Sequence, residues 1–235
     1  MIKKIKELLY IVISLTFING CAVNVCEFEK SINLSKYPWK DYEKAIYEIY
    51  RNGKLIGTAE FQIQKKDNNY EIKKVIQIVD KVIENGGLIY SNTLMPLTSY
   101  YKESSKEGDI DIKCSYDKDN WRLKVITPRK KVNTDIKLPK NYYENATLLY
   151  ILRSLNFSKG QIYKINVAVP ANLKVIPFKV SILDVEKVKT PYKETDCVKI
   201  KINNQYAWYS NDDKKYLYQY KKGEDLFVLR YIYEK

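Results

Sequence analysis

Tyr42-Glu43-Lys44-Ala45-Ile46-Tyr47-Glu48-Ile49-Tyr50-Arg51, then Asn52-Gly53, then Lys54-Leu55-Ile56-Gly57-Thr58-Ala59-Glu60-Phe61-Gln62-Ile63-Gln64-Lys65 is the stretch that decides what fold to expect. Asn52 and Gly53 both tolerate the positive φ of a type I′ turn, so the pair predicts a tight hairpin between two strands. Working outward, strand keeps following turn. Asp67-Asn68-Asn69 makes the next turn, and Tyr70–Asp80 follows with Ile72, Ile76 and Ile78 on one face. Asn85-Gly86-Gly87 is expected to break the chain again. Strands are predicted over Leu88–Thr93, Thr98–Ser104, Ile110–Tyr116, Trp121–Thr127 and Lys131–Leu138. Trp121, Leu123 and Val125 alternate with Arg122 and Lys124, the pattern of a sheet with one wet face.

The period changes at Asn141–Phe157, which predicts the main helix. Leu148, Ile151, Leu152 and Leu155 share one stripe, with Thr147, Tyr150, Arg153 and Ser154 opposite. Asn141 is placed to cap the first turn, Glu144 to complete a capping box, and Gly160 to stop the chain beyond it. Strands resume over Gln161–Val169, Asn172–Leu183, Cys197–Ile202, Tyr206–Ser210, Lys215–Tyr220 and Leu226–Tyr233. One helix among many strands packs on the sheet's concave face or lends its stripe to a lipid groove. The fold class expected is therefore α+β and mostly antiparallel: a strongly curved sheet or incomplete barrel enclosing the helix. Composition does not shift along residues 41–235, so one β-rich domain is expected there.

The first forty residues read differently. Met1–Glu7 is a short basic segment and Leu8–Ile18 an apolar run of signal-peptide length, too short to span a bilayer as a permanent helix. Ile18-Asn19-Gly20-Cys21 looks like a bacterial lipobox. Residues 1–20 are then a leader, and Cys21 is the first mature residue and carries lipid. The alternative is an ordinary secretory signal that ends near a cysteine. Ala22–Lys40 reads as a tether or as an extra edge strand. The expected location is extracytoplasmic, anchored through Cys21 to a bacterial membrane.

Basic residues exceed acidic ones by 13 over 235 residues, and removing Lys3, Lys4, Lys6 and Glu7 with the leader leaves a surplus of eleven. The excess is spread along the chain, which fits a solvated β-surface or attraction to anionic headgroups and wall polymers. No histidine is present. Ser-His-Asp and Cys-His catalysis and histidine metal ligation are thereby excluded. Twenty-two tyrosines beside eight glycines suit a strand-rich protein. Besides Cys21 there are Cys26, Cys114 and Cys197. Cys114 and Cys197 read as small buried hydrophobes or as a disulfide.

Candidate chemistry is sparse. Asp109 with Asp111, and Asp117 with Asp119, resemble hard-cation ligands, but the glycine and distal glutamate of a Ca²⁺ loop are missing. Asp212 and Asp213 read as turn residues. Glu194 and Asp196 lie near Cys197 with no base to activate the thiol. No catalytic residue, metal site or cofactor is expected. Nor is nucleic acid an expected partner for an exported protein, although lysines interleave with tyrosines.

Several motifs in order resemble the bacterial exported and lipoprotein family called domain of unknown function 3108. They are Tyr47–Gly57 with its "Ile-Gly" return, Leu149–Leu155, Phe157 to Gly160, Lys189–Tyr192 with Cys197–Ile200, and Ala207–Tyr216. The resemblance spans about Tyr42 to Tyr220 and implies a fold and a location but no catalytic residues. Lys193-Glu194 stand where the family usually has glycine, so that turn must be built differently. A more distant likeness, at fold level only, is to lipoprotein-localisation carriers and receptors, whose curved sheet shelters acyl chains. The expected function is a non-enzymatic envelope lipoprotein binding or escorting an amphipathic, lipid-like ligand. The alternatives are an interaction module whose basic face binds anionic polymer or a partner protein, and a carboxylate-dependent hydrolase acting on wall glycan.

Overall fold

The computed structural model describes residues 25–27, 37–117, 122–126, 134–172 and 174–235. Sixteen strands form one large, mostly antiparallel sheet that does not close on itself. The first, β1 (Val25–Glu27), runs parallel to the strand Ile162–Val169 in the last third of the chain. The first meander is β2 (Tyr42–Arg51), β3 (Lys54–Lys66), β4 (Asn69–Ile78), β5 (Lys81–Tyr90), β6 (Pro96–Ser105), β7 (Ile110–Asp117), β8 (Arg122–Ile126) and β9 (Thr134–Lys137). After β10 (Tyr142–Glu144), a second meander takes β11 (Ile162–Val169), β12 (Lys174–Lys189), β13 (Glu194–Ile202), β14 (Gln205–Ser210), β15 (Leu217–Lys222) and β16 (Asp225–Glu234). The meanders join where β16 pairs with β2, from Asp225 opposite Arg51 to Glu234 opposite Glu43. Both β1 and β10 lie parallel to β11.

The local reasons are visible in the residues. Asn52 (φ 51°) and Gly53 (φ 76°) form the expected hairpin turn. Along β2, Glu43, Ala45, Tyr47 and Ile49 are buried and alternate with more exposed residues, the period-2 signature of a sheet with one face in the core. Asn85-Gly86-Gly87, expected to break the chain, instead lies inside β5. A Cβ on Gly86 would stand 2.0 Å from the Ile72 carbonyl oxygen, and one on Gly87 2.4 Å from that of Thr98. These glycines let neighbouring backbones approach closely. At the turn after β12, where glycine was missed, the Thr190 hydroxyl meets the Lys193 carbonyl (3.0 Å) and amide (3.4 Å).

The helix is the largest correction. The expected 17-residue helix is four α-helical residues, α1 (Leu148–Ile151), and three of 3-10 helix, Leu152–Ser154. Asn141 has φ 55° and caps nothing, while 142–144 are drawn into pairing with β11. Glu144 does start the turn, though not as a capping-box partner: its carbonyl accepts the Thr147 amide (3.1 Å) and hydroxyl (3.0 Å), and its carboxylate accepts the Ala146 amide. The face opposite the leucine stripe is not solvated either. Thr147, Tyr150, Arg153 and Ser154 are all buried, because the segment sits inside the curl of the sheet. The expected tether contains β1, so part of it is the edge strand.

A second small cluster shows how far the sheet curls. Ile112, Cys114 and Tyr116 of β7 pack with Leu138, Tyr142 of β10 and Ala168 of β11, and the Tyr116 and Tyr142 rings lie 5.7 Å apart. Cys114 and Cys197 are both free and buried. One sits in this seam and the other in the main core, nine strands away along the sheet, so the disulfide does not form.

Candidate functional site: a cavity at one end of the curled sheet

The two ends of the curled sheet are built differently. One end carries the turns after β3, β5, β12 and β14, and here the short helical segment fills the interior. The other carries the turns after β2, β4, β6, β11, β13 and β15. There the interior opens into a cavity of about 470 Å³.

At the filled end Arg153 forms a buried fork with Glu43, Nη1 to Oε1 at 2.6 Å and Nη2 to Oε2 at 2.9 Å, both side chains at most 3% exposed. Nη2 also donates to the Lys214 carbonyl at 2.7 Å. The guanidinium lies 5.5–5.8 Å from the rings of Trp39, Tyr150 and Tyr216. Tyr209 donates to the Leu149 carbonyl (2.8 Å) from β14. The helix is thus bolted to β2 and β14 and closes this end.

The cavity at the other end has apolar walls from Ile49, Phe61, Ile76, Ile78, Ile83 and Phe227. Leu148 and Leu149 of α1 also line it, so the segment that fills one end is exposed to the cavity. Polar groups gather deeper, around Lys74 of β4, Asn85 of β5, Ser99 of β6 and Glu144 of β10. Lys74 opposes Phe61 on one side and Asn85 on the other. It is 8% exposed, its Nζ lies 5.7 Å from the Phe61 ring centre, and no carboxylate among the described residues comes within 4 Å. Burial lowers its pKa to about 8, opposed by attraction to Glu144 and assisted by repulsion from Lys222. Burial likewise raises Glu144 to about 7, opposed by Lys74 and by the Ala146 and Thr147 amides. Burial also pushes the Cys114 thiol up to about 12.

None of these groups was foreseen as a site residue. The signal for Lys74 was on the page: it falls between Ile72 and Ile76 on the apolar face of its strand. Glu43 gives the same sign, a charge in step with Ala45, Tyr47 and Ile49. The acidic candidates go elsewhere. Asp109 accepts the Ser104 hydroxyl (2.7 Å) on the surface, and Asp111 and Asp117 belong to β7 outside the cavity. Asp212 accepts the Ser210 hydroxyl and the Lys214 and Lys215 amides as a turn residue. Glu194 and Asp196 are exposed on β13. The described residues hold no group of three potential metal ligands. Asp119 and Ile18, Asn19, Gly20 and Cys21 lie outside the described residues.

The family model for proteins of unknown function DUF3108 matches residues 46–227. The chain belongs to the DUF3108 family. Its matched region runs from β2 into β16, through every strand that lines the cavity. Among solved structures, this DUF3108 chain is similar to a beta-barrel-like protein of the DUF1849 family from Brucella abortus. The identity is 10%, the match covers 84% of this chain and 99% of that one, and the TM-score is 0.54. That likeness bears on the fold alone and agrees with a barrel-like curl. Looser matches are a protein described as exported, with a YmcC-like fold, from Bacteroides fragilis (11% identity, 84% and 98% covered, TM-score 0.29) and one described as a lipoprotein from Parabacteroides distasonis (14%, 84% and 97%, 0.31). No curated protein matches the chain.

Proposed function

We propose that the protein is a non-enzymatic, lipid-anchored envelope protein that holds an amphipathic, lipid-like ligand in the cavity of its curled sheet. The observation that carries this reading is the cavity. About 470 Å³ walled by isoleucine and phenylalanine is the size and character of a small-molecule site. The same end displays Leu55, Val79 and Val82 to solvent, with Val79 85% exposed, which gives an apolar ligand a rim to cross.

Native mass spectrometry after gentle extraction is expected to find lipid on the wild-type protein and little on Ile76→Trp, whose side chain fills the cavity. Equal apo masses for both would defeat the reading. For the anchor, Cys21→Ser is expected to move the protein from the membrane to the soluble fraction while the β-sheet circular dichroism spectrum is kept; continued membrane retention would point to another attachment. A basic face binding anionic polymer has less support. Lys44, Lys73, Lys81 and Lys199 are matched across strands by Glu60, Glu84, Glu103 and Glu186, so these four lysines are already paired within the sheet.

A further inference from the structure

Inside an apolar cavity, a charge is costly unless something answers it. Lys74 is answered only in part. The residue is only 8% exposed, its ammonium faces an aromatic ring, and among the described residues no carboxylate reaches it within 4 Å. Glu144, the acid on the same cavity, is engaged by the Ala146 amide at the start of the helical turn. Lys74 also lies one step deeper than Ile76 and Ile78 along β4, which line the way out. Apolar walls therefore lead inward to an under-neutralised cation.

We propose that the cavity takes an amphiphile with a single anionic head group, a carboxylate, phosphate or sulfate, which enters head first and pairs with Lys74 while its alkyl chain lies along Ile76, Ile78 and Phe227. The inference rests on the cavity being the ligand site and adds the sign and depth of the head group. The charged and titratable groups around Lys74 agree on a pH dependence. Burial holds Glu144 well above the usual carboxylate range and Lys74 well below the usual ammonium range, so the pair gives up its protons as pH rises from neutral to mildly alkaline. Tyr100, Tyr101, Tyr220 and Cys114 are all raised by burial and stay neutral over that range. Lys222 and Asp225 lie nearer the mouth with opposite charges. The cavity thus changes from favouring an anion to opposing one as the solution turns alkaline.

The test is calorimetric titration of the full chain with decanesulfonate, decanol, decyltrimethylammonium and inorganic phosphate. Decanesulfonate is expected to bind wild type and to lose about tenfold or more in affinity on Lys74→Met, while decanol binds both proteins alike. On wild type alone, needing no variant to fold, decanesulfonate affinity is expected to fall from about pH 6 to about pH 9 while that for decanol holds. Decanesulfonate affinity unchanged by Lys74→Met and by pH overturns the head-group inference and leaves the cavity reading standing. Tighter binding of decyltrimethylammonium than of decanesulfonate also overturns it. Inorganic phosphate binding as tightly as decanesulfonate overturns it in favour of a small-anion site. If no amphiphile binds, the cavity reading fails first.

Discussion

Arg153→Met is expected to destabilise the folded protein by about 3–5 kcal/mol, measured as a lower urea midpoint at unchanged slope. The physical reason is what the substitution leaves behind. Glu43 is buried, and its carboxylate is held by both guanidinium nitrogens. Without them it must stay ionised in a dry interior or take up a proton. The Lys214 carbonyl also loses a donor, and three aromatic rings lose the cation between them. The double variant Glu43→Met with Arg153→Met is expected to recover most of the loss, since paired apolar groups of similar volume remove the desolvation cost altogether. A double variant as unstable as the sum of the singles would mean that the pair acts through shape and not through charge.

The second large effect is expected where the strands come closest. Gly86→Ala places a methyl 2.0 Å from the Ile72 carbonyl oxygen, and Gly57→Ala places one 1.9 Å from that of Gln77. Both obstacles are backbone, so β4 itself must move from either side. About 1–3 kcal/mol is expected for each, a fall in Tm of roughly 2–12 °C. Because β4 carries Lys74, Ile76 and Ile78, the same substitutions are expected to weaken ligand retention in the cavity. Gly53→Ala is the control for conformation alone: nothing lies within 4 Å of the added methyl, and its cost is that of φ +76°. A Gly86→Ala melting curve that matches wild type would show that the sheet has slack at β4.

What the sequence disclosed followed the range of the interaction responsible. The hairpin at Asn52-Gly53 and the alternation along 42–51 are set by neighbours, and both strands appear with the expected bounds to within a residue. The turn at 203–204 and the strand after it are legible for the same reason. Residues 141–157 misled because apolar spacing shows only that one face is buried. It does not reveal that β11 recruits 142–144, or that 148–154 lie inside the curl of the sheet with both faces buried. Gly86 and Gly87 misled because glycine marks a break and a close approach equally well, and only the Ile72 and Thr98 carbonyls distinguish them. Lys74 was visible as a charge on an apolar face, but its neighbour Glu144 is 70 positions away in sequence. Arg153 and Glu43 are 110 apart. No periodicity links such partners.

The pairing of β16 with β2 has a consequence for how this chain is made. The last ten-residue strand completes the ladder on the first long one, and the Lys235 amide reaches the Tyr42 carbonyl at 3.0 Å. Until residue 234 has left the ribosome, β2 presents an unsatisfied edge, and Glu43 waits for Arg153 and the Lys214 turn. A nascent chain of this design spends nearly its whole synthesis with a sticky flank. Losing even its final few residues is therefore expected to cost more stability than the loss of a frayed tail would, read as a lower urea midpoint.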